Sequence, residues 1–310
     1  MSFTENNSEN IKTAYEYCRS VTKNHAKSFY FASSFLPKLK QKAVFPIYAF
    51  CRHVDDEIDE IGDGDEAKAI EAVERWKQNL EEIYSQIDTD KHGLKAKNQN
   101  LKTNHQKLVF IAWQDLLKTY KIPQNLPLEL IQGVLMDTNI KRYETFEELY
   151  VYCYRVASTV GLMSSEILGY SDKIALEYAE AMGIAMQLTN ILRDIKEDAA
   201  MNRIYLPQED LKRFNVSEAQ IFANEFDENF KTMMKFQVER AREYYAKGEK
   251  GIPLLEKDSR FTVLLASRIY AKILDEIEKQ NYNIFTKRAH TTKSQKLLSI
   301  PKIWLKARKL

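Results

Sequence analysis

Apolar residues return at helical spacing, three and four apart, along most of the chain. The pattern predicts one helical stretch over residues 11–36, ending at Pro37, and a second over 41–61, closed by GDGD. An amphipathic helix is expected over 66–87, with Trp76 and Leu80 on one face. The apolar period lapses in DTDKHGLKAKNQNLKTNHQ, residues 88–106, which reads as a surface loop. Helices resume over 107–120, stop at KIPQNLP, and continue over 128–139 and 146–168, where Gly169 is the expected C-cap. A long helix over 172–200 precedes a turn at Pro207, and three more stretches, 217–247, 259–280 and 291–308, complete the chain. Without a long linker or tandem repeat, the expectation is one all-α domain over 1–310, with residues 1–10 disordered.

Composition supports this reading. With 9 Gly, 7 Pro and long stretches rich in Ala, Leu, Glu and Lys, helix is favoured over sheet, and no Asn-Gly or Asp-Gly turn joins alternating apolar runs. The formal net charge of +2 gives no general attraction to nucleic acid, which is excluded as a partner. Cys18, Cys51 and Cys153 lie far apart, arguing against a disulfide framework or zinc site and for a reducing compartment. No histidine lies three residues after a Glu, so the di-iron bundle signature is missing. The opening MSFTENNSEN lacks the apolar segment of a signal peptide, and no apolar run reaches the length of a membrane span. A cytoplasmic protein, at most peripheral to a membrane, is expected.

The chemistry lies in two acid rows. In MQLTNILRDIKEDAAMNRIYLP, Asp194 and Asp198 stand one above the other on a helix face that also carries Gln187 and Asn190, among apolar Ile184, Leu188, Ile191, Leu192 and Ile195. In FPIYAFCRHVDDEIDE, Asp55 and Asp59 repeat the spacing, on a face continuing back through Arg52, Cys51 and Tyr48. One such pair is ordinarily a solvated helix end. Two could face each other across a cavity, where four carboxylates would repel and their pKa values rise. A hard divalent cation resolves that conflict, and Mg²⁺ keeps open positions for substrate phosphate, so the expected ligand is a Mg²⁺-bound phosphate or diphosphate. Arg52 and Arg193 are on hand for its oxygens, or are simple ion-pair partners of the adjacent acids.

The flanking residues widen the comparison. HAKSFYFASSFLP, FPIYAFCRHVDDEID, RYETFEELYVYCYRVASTVGLMS and QLTNILRDIKEDAAMNRIYLPQEDL, spread over residues 14–290, resemble the squalene and phytoene synthases, which join two isoprenoid diphosphates head to head. The resemblance implies a single-domain isoprenoid synthase-like helical bundle around a central cavity. It implies that Asp55, Asp59, Asp194 and Asp198 are the catalytic acids, holding Mg²⁺ or Mn²⁺ together with Asn190. It implies diphosphate or metal-shell contacts at Arg52, Gln187, Asn190, Arg193, Tyr270 and Arg288, and cavity positions at Ser28, Phe29, Tyr152 and Tyr205. The family usually has Gly where this chain has Ser158 and Asn202.

The implied reaction draws diphosphate from one substrate, and the double bond of the second attacks the allylic cation. Proton loss closes a cyclopropylcarbinyl diphosphate, and a second ionisation with rearrangement gives a linear product. DTNIKRYETFEELYVYCYRVASTVGLMS is most similar to phytoene synthases, which use two C20 (geranylgeranyl) diphosphates without reductant. Ser33, one turn beyond Phe29, is small enough to leave a long tunnel open. Squalene or dehydrosqualene synthesis from C15 (farnesyl) diphosphate, with NADPH for squalene, is the alternative. A terpene cyclase and a non-catalytic helical assembly protein are the remoter ones. Finally, Lys287 to Leu310 carries eight Lys or Arg and no acid, interleaved with Leu297, Leu298, Ile300, Ile303, Trp304 and Leu305. This basic tail either lies on an anionic membrane or packs on the domain as a last helix.

Overall fold

The computed structural model describes residues 3–59, 66–89 and 104–310, with side chains over 8–58, 67–87 and 104–310. No strand occurs among them; Arg142 with Ile204 and Tyr170 with Leu255 form isolated bridges. The expected all-α fold is what the chain adopts.

The helices are α1 (Phe3–His25), α2 (Lys27–Ser33), α3 (Lys38–Asp59), α4 (Glu66–Thr89), α5 (Asn104–Leu117) and α6 (Asn125–Asn139). Next come α7 (Phe146–Cys153) and α8 (Thr159–Leu168), joined without a break by a π-helical turn at Tyr154–Ser158, and α9 (Ile174–Ala200). The chain finishes with α10 (Gln208–Arg213), α11 (Glu218–Phe222), α12 (Glu228–Glu249), α13 (Lys257–Lys279) and α14 (Lys293–Ala307).

Two stretches expected as single helices are divided. The first breaks at Ala26, whose φ of −121° and ψ of 62° turn α2 away from α1. The stretch 217–247 divides where Asn224 adopts a φ of 55° and the Asp227 side chain accepts from the Phe230 backbone N–H at 2.8 Å, starting α12. Helix α1 already begins at Phe3, so most of the segment expected to be disordered is helical. The GDGD segment and most of the expected loop 88–106 lie outside the described residues. Gly169 caps α8 with a φ of 75°, as its position implied.

The buried apolar side chains form two large clusters. One gathers α1, α3, α4, α5, α6 and α8 around Phe50, Trp76, Phe110 and Trp113. The other gathers α7, α9, α12 and α13 around Ile184, Leu188, Ile195, Phe230 and Leu274. Each such aliphatic side chain is worth about 1.5–3 kcal/mol when withdrawn from water, which commits one face of α9 to the second cluster. A smaller cluster, including Ala32, Leu265, Ile269 and Ile303, fastens α2 and α14 to α13.

The π turn sits hard against α9. A Cβ on Gly183 would lie 2.4 Å from the Ser158 Cα, so the close approach requires glycine there. Ser158 itself is fully buried and donates its hydroxyl to the Glu180 carbonyl at 2.8 Å, an arrangement that accommodates the side chain its position was not expected to carry.

Candidate active site

Helix α9 turns Gln187, Asn190, Asp194 and Asp198 away from its apolar face, and the first three join a continuous polar network. Asn190 donates to Gln187 at 3.1 Å and accepts from the Tyr270 hydroxyl of α13. Arg193 reaches Tyr270 at 3.4 Å and grips both oxygens of Asp194, at 2.8 Å from Nε and 2.5 Å from Nη2. Arg288, from the segment before α14, adds its Nε to Asp194 at 2.7 Å.

The two α9 carboxylates therefore differ. Burial alone would push Asp194 up, but Arg193 and then Arg288 outweigh it and hold the carboxyl below its ordinary range. The upward shift expected for all four acids is thus corrected at Asp194. Asp198 follows the expectation, pushed up to about 8 by burial, then by Asp194 and Asp137. Burial is the larger cause, the neighbouring carboxylates add to it, and Arg203 opposes it.

On α3, Arg52 pairs with Asp55 at 3.2 Å and also with Asp56. The side chain of Asp59, the last residue of α3, lies outside the described residues. The two acid-bearing helices approach through tyrosines. Burial raises the Tyr48 hydroxyl to about 12, and Arg52, Asp55 and the Tyr270 of the opposite side all act on it. Phe29 stacks on Tyr48 with centroids 5.9 Å apart, and its neighbour Ser28 accepts from Lys296 of α14 at 2.8 Å. Ser33 is buried, its hydroxyl donating to the Tyr30 carbonyl at 2.9 Å.

Tyr152 and Tyr205 occupy another part of the site, on the side of Asp198. Their rings stack at 5.1 Å, and both hydroxyls donate to Asp137 of α6, at 2.9 and 2.7 Å. Tyr205 borders a void of about 10 Å³ shared with Asp198, Arg203 and Ile191. Asn202, between them in sequence, has the positive φ of 56° that a glycine would take up readily.

Two residues of this arrangement were given no role by sequence. Asp137 stood inside a recognised motif, and nothing local shows that two tyrosines 15 and 68 positions away converge on it. Lys296 looked like one of eight tail cations, yet burial and then Lys27 hold it below the ordinary lysine range.

Among the described residues, no three His, Cys, Asp or Glu side chains close around a ready metal position. The donor chemistry nevertheless fits a hard cation. Oxygen ligands dominate, and Asp198 is withdrawn from water beside the Asp194 carboxylate, a crowding that a cation would relieve. A larger groove of about 720 Å³ runs along the outer side of α1 and α3 past Lys12, Tyr15, Arg19 and Lys42, away from these acids.

The chain is similar to known proteins over nearly its whole length. The family described as squalene/phytoene synthase matches residues 22–295. A 15-cis-phytoene synthase of Synechocystis sp. is 40% identical over 317 residues, 97% of this chain and 87% of that protein. One from Synechococcus elongatus is 37% identical, over 96% of this chain and 94% of its own. In structure, a dehydrosqualene synthase solved in complex with ligand superposes with a TM-score of 0.84 at 28% identity, covering 98% of this chain and 100% of that one.

Proposed function

The chain belongs to the squalene/phytoene synthase family, a family of prenyltransferases, and from that premise we propose that it joins two geranylgeranyl diphosphates head to head into phytoene, a carotenoid precursor. The observation that carries the chemistry is the meeting of acids, arginines and tyrosine hydroxyls between two apolar clusters. A molecule with a diphosphate head and a long hydrocarbon chain matches such a boundary.

The family generally uses a divalent metal. In this chain Asp194, Asp198 and Asn190 of α9, with Asp55 and Asp59 of α3, would hold Mg²⁺, or Mn²⁺ in its place. Bound there, the cation supplies positive charge to the diphosphate oxygens and makes the diphosphate a better leaving group. Arg52, Arg193 and Arg288 carry the guanidinium charge for those oxygens, while Gln187 and Tyr270 orient the polar cluster. Ser28 and Lys296 offer a hydroxyl and an ammonium beside Phe29. Phe29, Tyr152 and Tyr205 line the route of the chains and keep water from the allylic cation, each aromatic face adding about 0.5–2 kcal/mol of attraction. Attack by the second double bond and loss of a proton then give the cyclopropylcarbinyl diphosphate, and a second loss of diphosphate with rearrangement leads to the linear product.

The test is to feed C20 and C15 diphosphates with Mg²⁺, with and without NADPH, and to identify the extracted hydrocarbon. A C40 triene core formed without NADPH is expected. A C30 product that requires NADPH would replace phytoene synthesis with squalene synthesis, and a C30 product without it with dehydrosqualene synthesis.

The reading extends to a cytoplasmic enzyme touching an anionic membrane, which would receive the insoluble product. Helix α14 packs inward through Ile300 and Ile303, yet leaves Leu298 80% and Leu305 57% exposed, beside Leu297 and Trp304. Lys302, Lys306, Arg308 and Lys309 surround that ridge, giving the charge an anionic bilayer attracts. No helix of the described residues is long and apolar enough to cross a membrane. Leu298→Ser with Leu305→Ser should reduce flotation with phosphatidylglycerol vesicles without lowering Tm; undiminished flotation would remove α14 from the contact.

A further inference from the structure

We infer that Asp137 is a positioning residue for the carbocation steps, holding the phenolic protons of Tyr152 and Tyr205 away from the reacting carbons; the inference rests on the proposed condensation. Asp137 lies near the end of α6 and is only 7% exposed. Its two oxygens are divided between two donors: Oδ2 accepts from Tyr152 at 2.9 Å and Oδ1 from Tyr205 at 2.7 Å. The backbone around it is fastened too, since its carbonyl accepts from Lys141 Nζ at 2.9 Å and from Arg203 at 3.4 Å. Tyr143 packs against both rings, 5.6 Å from Tyr152 and 6.0 Å from Tyr205 between centroids, so neither phenol swings without disturbing a third ring.

The residue type matters. A carboxylate is acceptor-only and can take a phenolic O–H on each oxygen, whereas an amide offers one acceptor and turns an N–H₂ toward the other phenol. With both hydroxyls committed to Asp137, each phenolic proton is held on a carboxylate oxygen rather than left to rotate. What the tyrosines then present is ring surface, which stabilises a cation, with the hydroxyl kept from acting as proton donor or nucleophile. An allylic or cyclopropylcarbinyl cation meeting a loose phenol, or a water admitted beside it, would be captured as an ether or an alcohol before rearrangement. Asp137 touches no reacting atom in this scheme. It acts through the two rings.

The experiment compares wild type, Asp137→Asn and Tyr205→Phe as full chains with Mg²⁺ and the preferred prenyl diphosphate. It records KM, kcat, Tm, and the division of product among hydrocarbon, cyclopropylcarbinyl diphosphate and prenyl alcohol. Asp137→Asn should keep KM within about threefold and lose about ten- to a hundredfold in kcat, the rate equivalent of a hydrogen bond to a charged group. It should also divert product toward alcohol and released intermediate. Tyr205→Phe, which keeps the ring and removes the hydroxyl that Asp137 restrains, should keep the wild-type product ratio. A wild-type product ratio in a folded Asp137→Asn chain, even with reduced Tm and kcat, would overturn the inference by reducing Asp137 to a structural support. If Asp137→Asn does not fold, Tyr205→Phe decides, and diversion of its product to alcohol or released intermediate overturns the inference, because the hydroxyl itself would then be needed. A wild type that makes no hydrocarbon from either substrate refutes instead the condensation on which the inference stands.

Discussion

Two carboxylates one turn apart on α9 answer differently to the same substitution. Asp194 neutralises the half-buried Arg193 and shares Arg288 with Glu197, so Asp194→Asn leaves Arg193 without its carboxylate and should destabilise the metal-free protein by about 1–3 kcal/mol. Asp198→Asn removes a charge that burial and Asp194 oppose, and should raise the metal-free Tm. Both should abolish turnover. The pH dependence separates them further. The folded pKa of Asp198, about 8, lies above the ordinary aspartate value of 3.8 that holds in the unfolded chain, so between those limits the native chain binds a proton that the unfolded chain has released. Its contribution to stability is therefore greatest at low pH and is lost as pH rises toward 8. Thermal melts of metal-free wild type should fall along this window more steeply than those of Asp198→Asn; parallel curves would refute the assignment. The spacing of these acids was legible because it recurs every four residues along one helix. The arginine clasp on Asp194 was not, because Arg288 reaches it from 94 positions away.

Helix periodicity located the long elements because burial of one face imposes it whatever the neighbours are. The breaks escaped it for the same reason, since the apolar spacing runs on through Ala26 while only its backbone angles change. The short α10 and α11, of 6 and 5 residues, span too few turns for a period to show. Contact between elements is harder still to read, and Gly183 is the case in point. Nothing in its own helix asks for glycine, but the π turn lies against it and an added methyl would meet the Ser158 Cα at 2.4 Å. Gly183→Ala should force α9 and the Tyr154–Ser158 turn apart, costing about 1–3 kcal/mol as an overpacked contact. Because that turn follows directly on α7, which carries Tyr152, the variant should lose kcat as well as Tm, whereas Ala185→Gly one turn-edge away should lower Tm with kcat retained.

At the scale of the molecule, motifs from four segments of sequence announced that their residues belong together, and the fold assembles them along the boundary of two cores. The tail was left between two readings, a membrane contact and a last packed helix. The structure shows the packed helix, and its outer ridge leaves room for the proposed contact as well. Ending the chain at residue 294 would strip Ile303 from its cluster and Lys296 from Ser28 together, so it should lower Tm and raise KM for the diphosphate, where the ridge substitutions should do neither. The position of Lys296 carries a further consequence. One helix bears the exposed apolar ridge proposed to meet lipid on its outside and a hydrogen bond to Ser28 on its inside. Thermodynamic reciprocity then requires that any change a bilayer makes in diphosphate affinity through α14 be matched by an equal change that diphosphate makes in bilayer affinity. Vesicle partitioning measured with and without a non-reacting diphosphate reads that coupling directly. A positive value would recruit substrate-loaded molecules to the surface that takes up the product and release empty ones.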